Sequence, residues 1–440
     1  MARTYFVNRH DKAGDFSLPL RALESWLLGG YFLLTSICHA ASLSPLASAP
    51  DWKKLEQFRK TIAHDEFVQL LDTVYAPGGA AKSVIEVMPE AVRIQTSNGN
   101  ISLDFAHGNA GRPPRYWTPA SARKPAARPL AGVSIALDPG HIGGEWAKLE
   151  ERWFQIGEQT QPVTEGDMTL RVAKLLAPRL EALGADVTFV RQHTEPVTNL
   201  RPADLRDAAA EDLKKQGLQF IHQKYNGAAD PLKFSSIDWT SELLFYRTAE
   251  IRRRAQLVNR KLQPDLVLCL HFNAESWGDP DHPALVEKNH MHLLVNGSYN
   301  NRELAQEDVL FEMLLKLLNR SASEELPAAE RIATALAQAT GLPPYEYTNG
   351  NAHRVGTTSY VWARNLLANR LYACPVVYIE PYVMNSPAVW RRVQLGDYQG
   401  EKNVDGAMRK SIYREYADAV AGGLADYYKS ARGSLEKVPK

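Results

Sequence analysis

The chain has 440 residues, of which 45% are hydrophobic and 23% charged, an ordinary globular composition with room for one large domain and a smaller one. Its 51 basic and 50 acidic side chains leave a formal net charge of +1. No global field therefore draws it to nucleic acid or to an anionic membrane surface, which argues against a basic-groove nucleic-acid binder.

The first fifty residues differ from the rest. Arg3, Arg9, Lys12 and Arg21 precede the apolar run WLLGGYFLLTSI at 26–37, and the small-residue stretch CHAASLSPLASA follows. This three-part layout predicts a secretory signal peptide over 1–49, with Ala40 and Ala49 both offering small residues for cleavage. The run is short for a bilayer and Glu24 borders it, so no membrane span is expected after cleavage. The chain is accordingly expected to be exported, to a periplasm or cell envelope. Ile37 is too bulky for a lipobox before Cys38. Cys269 and Cys374 each sit in an apolar run and read as buried small hydrophobes, with pairing across strands as the alternative.

Residues 51–106 open with WKKLEQFRKTIAHDEFVQLLDTVY, apolar mostly at three- and four-residue spacing, and continue with AVRIQT and ISLDF around Asn98 and Gly99. They predict a small α+β module. The Pro-, Ala- and Arg-rich stretch that follows marks 107–131 as a linker.

From Val133 strands alternate with helices. VSIALD, ADVTFV, DLVLCLH, MHLLV and PVVYIE are the strand candidates, and the helices are placed at 166–183, 202–216, 241–262, 302–319, 327–340 and 406–429. The fold class expected over 132–430 is α/β, a three-layer sandwich around a mostly parallel or mixed sheet.

The first strand candidate ends in Asp138, Pro139, Gly140 and His141. Proline and glycine stop the strand, which places His141 at the edge where open α/β sheets bind ligands. His271 closes DLVLCLH in the same way. A zinc site for hydrolysis needs about three protein ligands and one open position, and Glu165, at the start of an amphipathic helix with Thr164 and Asp167 as its capping box, is the leading carboxylate. Glu145, Glu150, Glu151 and Glu158 are rivals. Glu380 ends PVVYIE, where a carboxylate is costly unless paired; it reads either as a salt-bridge partner of Arg364 or Arg370, or as a general base beside a metal.

In the order His, Glu, His, Glu these residues resemble the zinc-dependent N-acetylmuramoyl-L-alanine amidases of the type 3 family. The motifs that carry the resemblance are DPGHIGG (138–144), TEGDMTLRVAKLL (164–176), LCLHFNAES (268–276) and VVYIEPYVMN (376–385), with VTFVR and YVWARN as further echoes. The sequence departs from the family where Ile142 interrupts the glycines, where the loop before Glu165 lengthens, and where Pro381, Tyr382 and Val383 follow Glu380. The resemblance implies a phosphorylase/hydrolase-like fold, one Zn2+ per chain held by His141, Glu165 and His271, and Glu380 as the catalytic base. It also implies peptidoglycan as the partner, cut between the lactyl group of muramic acid and L-alanine. Asn273, Arg364 and Asn385 are expected around the site or its substrate. A zinc carboxypeptidase or other amidohydrolase, or an inactive wall-binding relative, is the alternative.

Residues 202–262 read as an insertion, either a packing element or a helix that plugs the site. His290 and His292 share one strand face and read as solvent-facing, with a second metal as the alternative. His353 is a candidate for the substrate groove.

Overall fold

The computed structural model describes residues 42–279 and 282–432; the predicted leader lies outside them except for its last eight residues. No helix among the described residues is long and apolar enough to cross a membrane.

All five strand candidates form, as Ser134–Pro139, Asp186–Phe189, Leu266–Leu270, His292–Val295 and Val376–Glu380. Two strands not foreseen, His353–Arg354 and Val361–Ala363, complete a seven-stranded sheet. From one edge to the other the strands that begin at His353, Val361, His292, Val376, Leu266, Ser134 and Asp186 lie side by side. The last four run parallel, while His292–Val295 runs against Val376–Glu380, so the sheet is mixed.

Side chains alternate across this sheet with the two-residue period of a strand. Ile135, Leu137, Leu268, Leu270, Val377 and Ile379 enter one apolar core, and Ala136, Val267, Cys269, Val376 and Tyr378 enter another on the opposite face. The first is covered by the helices Glu165–Ala182, Ala322–Thr340 and Ile412–Ala431. Ala255, Val258, Ala368 and Tyr372 pack into the second. The result is the three-layer α/β sandwich expected.

Several boundaries differ from the sequence reading. The last helix starts at Ile412, not 406, because Ala407–Lys410 pairs with Glu401–Val404 as a hairpin. Trp52, Leu55, Phe67 and Ile94 of the 51–106 segment share one contiguous core with Phe311, Leu314 and Leu317, so this segment packs as part of the main body. The stretch predicted as a linker is pinned: Thr118 N donates to Asp265 Oδ1 at 2.9 Å and Ala120 N to Glu324 Oε2 at 3.0 Å. Its prolines and alanines lack an apolar period, yet backbone N–H groups and buried Trp117 dock it. Within 202–262, Arg206–Lys215 packs on the first part of the helical run 237–262 in a satellite cluster that also holds Ile142. The second part lines the sheet.

Candidate metal centre

Three parallel neighbours end level with one another, since Pro139 pairs with Leu270 and Leu270 with Ile379. The residues just beyond those ends, His141 and His271, and Glu380 at the last strand position, therefore meet at one edge. The helix Glu165–Ala182 starts above them. One ligand atom each from His141, Glu165 and His271 lie within 4.8 Å of one another.

Glu165 is the hub, with a carboxylate only 2% exposed. Its Oε2 lies 3.2 Å from His141 Nε2 and 3.3 Å from Arg152 Nε, and its Oε1 lies 3.2 Å from His271 Nδ1 while accepting from Phe272 N at 3.1 Å. Burial opposes its ionisation, but the facing His141, His271 and Arg152 outweigh burial and hold the carboxyl below its ordinary range. His141 is pushed well down by burial, despite Glu165, and is therefore a neutral imidazole. His271 is resisted by the same burial yet raised by its hydrogen bond to Glu165. Two imidazoles and one ionised carboxylate converging in a buried cleft are the donor set of a catalytic zinc site. A bound divalent cation would replace the proton that His271 and Glu165 share. The residues present fit the metal.

Of the rival carboxylates, Glu150 is also buried, but on the far side of the first histidine. Its Oε2 is 3.3 Å from His141 Nδ1 and accepts from Ile142 N at 2.9 Å, so it orients the ring that Glu165 faces. Burial pushes its carboxyl up to about 7. The predicted capping box does not form: Thr164 Oγ1 donates instead to Asp167 Oδ2 at 2.7 Å, and that oxygen also accepts from Gly144 N at 3.0 Å. Asp167 thus ties the loop after His141 to the helix that carries Glu165.

Two glycines make the close approach. A Cβ at Gly140 would overlap the His271 ring, and one at Gly166 would overlap the carbonyl oxygen of Ile142. The two imidazoles pack edge to face with ring centroids 5.1 Å apart. His141 itself takes a left-handed backbone, φ 59°, a conformation of low population outside glycine that persists only where the surroundings hold it.

Glu380 does not pair with Arg370, whose Nε lies 2.6 Å from Glu312 Oε2. It faces His292, Nε2 to Oε2 at 3.3 Å. Burial disfavours the Glu380 carboxylate, yet His292, His271 and Arg364 together keep it ionised, far below its usual range. Arg364 Nη1 donates to Tyr347 Oη at 3.2 Å, and that oxygen is 3.1 Å from His292 Nε2. Asn273 Nδ2 lies 3.4 Å from His290 Nδ1 and 3.3 Å from His292 Nδ1. Asn385 staples the loop after His271, accepting from Glu275 N and donating to Glu275 O, each at 3.0 Å.

His290 and His292 are buried, and the strand of His292 is flanked by Val361–Ala363 and Val376–Glu380. The solvent-facing reading is corrected on that ground. His292 is the site residue that sequence reasoning left unassigned. Its strand runs against Val376–Glu380, so the first residue of that strand meets the last of PVVYIE, a pairing that the local sequence does not declare. His353 sits exposed on the outermost strand. Cys269 and Cys374 are buried free thiols.

No protein-family model matches the chain and no curated protein matches it. Among solved structures it is similar to the N-acetylmuramyl-L-alanine amidase Ami1 from Mycobacterium smegmatis, at 17% identity and a TM-score of 0.36, over 68% of this chain and 99% of that one. It is also similar to the CwlD amidase from Clostridioides difficile in complex with the GerS lipoprotein, at 12% identity and a TM-score of 0.37, over 67% of this chain and 98% of that one. A third is the catalytic domain of CwlV, an N-acetylmuramoyl-L-alanine amidase from Bacillus (Paenibacillus) polymyxa, at 12% identity and a TM-score of 0.35, over 67% and 97%.

Proposed function

We propose that this chain is an exported, zinc-dependent amidohydrolase that cuts the amide between the muramic acid lactyl group and L-alanine in peptidoglycan. The observation that carries the reading is the convergence of His141, Glu165 and His271 on one point, at the same sheet edge as a half-buried, ionised Glu380. The choice of amide rests on the four ordered sequence motifs.

Zinc, when bound by these three residues, would supply Lewis acidity toward a carbonyl oxygen and toward water. Glu165 contributes one negative charge and holds both imidazoles in facing positions. Glu150, on Nδ1 of His141, keeps the Nε2 of that ring turned to the centre. Glu380 is unprotonated at neutral pH, the state a general base requires. It takes a proton from the attacking water as the carbon–oxygen bond forms, and returns it to the amide nitrogen as the carbon–nitrogen bond breaks. Glu165 itself is only 2% exposed, which strengthens its electrostatic contacts with the two imidazoles.

Mass spectrometry of purified sacculi digested by the zinc-loaded chain tests the reading. Muramoyl glycan with a free lactyl carboxylate, together with intact stem peptides starting at L-alanine, is expected. Release of a single terminal amino acid would make the chain a carboxypeptidase instead. Metal analysis should find about one zinc per chain, and Glu380→Gln should keep that zinc while losing hydrolysis.

A further inference from the structure

We propose that a single side-chain amide, that of Asn273, fixes the tautomers of His290 and His292, and that His292 is thereby the positioning residue that holds the Glu380 carboxylate. The proposal rests on reading Glu380 as the general base.

Five polar side chains stand in a row: Glu275, His290, Asn273, His292 and Glu380. The orientation of the central amide is set by its own backbone neighbour, because Asn273 Oδ1 accepts from Ala274 N at 2.8 Å. A backbone N–H can meet only the oxygen of that amide. The Asn273 Nδ2 group is therefore the end turned to the two rings, 3.4 Å from His290 Nδ1 and 3.3 Å from His292 Nδ1. It carries two hydrogens, one for each ring, and accepts nothing.

Both Nδ1 atoms must then be acceptors, and each neutral ring carries its proton on Nε2. His290 Nε2 is 3.2 Å from Glu275 Oε1. His292 Nε2 is 3.3 Å from Glu380 Oε2 and 3.1 Å from Tyr347 Oη. Each imidazole turns its Nε2–H toward a carboxylate, that of His292 being shared between Glu380 Oε2 and Tyr347 Oη, and the same amide decides both. All four ring nitrogens are occupied in this way, so the histidine pair serves hydrogen bonding and not a second metal.

The surrounding backbone makes the row rigid. Asn273 N donates to Tyr382 O at 2.9 Å and Met384 N donates to Asn273 O at 2.8 Å, so the segment after Glu380 clamps Asn273 from both sides. His292 and Glu380 are register partners across the antiparallel pair. Tyr345 packs on both rings, with centroids 4.6 Å from His290 and 5.0 Å from His292. Asn273, His290 and His292 are all buried. In such surroundings a hydrogen bond is stronger than in water, and a wrong tautomer would set donor against donor. With one oxygen tied to His292, the plane of the Glu380 carboxylate is fixed, and so is the direction in which its other oxygen is presented.

The test combines a spectroscopic readout with two variants. In the zinc-loaded full chain labelled with 15N-histidine, long-range proton–nitrogen correlations should report His290 and His292 as Nε2–H tautomers. Asn273→Asp, whose carboxylate can only accept, should move the His292 proton to Nδ1. His292→Gln places an amide N–H near the position of Nε2 and should keep kcat within about tenfold. His292→Leu removes the donor and should lower kcat by about 10²-fold or more, the low end of general-base effects, with KM and zinc content little changed. An Nδ1–H tautomer of His292 in the unsubstituted chain overturns the proposal, and so does equal turnover of the Gln and Leu variants. If the unsubstituted chain releases no muramoyl product, the proposed function fails, while the tautomer measurements still decide this inference.

Discussion

Arg254 donates from Nη2 to the carbonyl oxygen of His141 at 2.8 Å. The same guanidinium donates from Nη1 to Asp138 Oδ1 and to Pro139 O, both at 2.9 Å, and its Nε meets Glu250 Oε1 at 2.8 Å. One arginine side chain, 1% exposed, thus grips the turn on which His141, the first proposed ligand, sits. A left-handed non-glycine residue costs on the order of 1–3 kcal/mol and must be held by its surroundings; the hold on His141 comes from here.

Arg254→Met should therefore do two things. It leaves Asp138 and Glu250 buried with their cation gone, and removing one partner from a buried charge pair costs about 3–5 kcal/mol. It also frees the His141 turn, so zinc affinity should fall with stability. Chemical denaturation and zinc titration of the variant check both; unchanged zinc binding at reduced stability would show that the turn needs no support from Arg254.

Gly140→Ala is the smallest change aimed at the centre. The added Cβ overlaps the His271 ring, which is also stacked on Tyr378 with centroids 5.1 Å apart and has little room to retreat. Zinc affinity is expected to drop by about 10–100-fold, the size of effect seen when a ligand's orientation is disturbed. Isothermal titration with zinc would measure it, and an affinity equal to that of the unsubstituted chain would count against His271 as a ligand.

Glu324 links three segments. Its Oε2 accepts from Ala120 N at 3.0 Å and from Tyr427 Oη at 2.8 Å. Burial raises its pKa above the ordinary 4.5, with Ala120 and Tyr427 pulling the other way. A carboxyl whose folded pKa lies above its unfolded value contributes stability that is complete below the unfolded value. That contribution fades as pH rises through the folded one. Glu324→Gln keeps an acceptor and cannot ionise. Its stability relative to the unsubstituted chain should therefore improve as pH rises from about 4.5 toward neutrality, which a series of melting curves across that range would reveal; a difference constant with pH would contradict it.

How much of this could be read from residues alone follows from which interactions are local. The five strand patterns and the residues that close them were legible, because a run such as DLVLCLH declares both its burial and its end. The level alignment of His141, His271 and Glu380 needed only parallel register. Glu150 was visible as a carboxylate but not as the partner of His141 Nδ1, since that role depends on how the 145–158 loop folds back. Arg254 lay in a segment read as an insertion, and nothing in the spacing of a charged helix tells which arginine turns inward. His292 was seen as one of a pair on a strand face, but its meaning came from an antiparallel neighbour whose pairing no local pattern announces. The docked stretch 107–131 was missed for the same reason: its partners Asp265 and Glu324 are more than a hundred residues away.

The described chain begins with a segment that behaves as part of the body. Ser44 N donates to Asp308 Oδ1 at 2.8 Å, Ser44 Oγ also meets the Asp308 carboxylate, and Arg252 Nη2 donates to Ser44 Oγ at 3.0 Å. Glu307 N donates to Ser42 O at 2.9 Å, and Leu46 packs against the satellite cluster around Phe245. Cleavage after Ala40 would keep every one of these contacts, whereas cleavage after Ala49 would remove them and leave buried Asp308 with Arg252 3.6 Å away as its ion-pair partner. Leaving a buried acceptor unsatisfied costs about 1–3 kcal/mol. A chain starting at Pro50 should accordingly be less stable by about that amount than one starting at Ala41, as measured by denaturant unfolding. Equal stability of the two chains would mean that the contacts of Ser42, Ser44 and Leu46 contribute nothing to the fold.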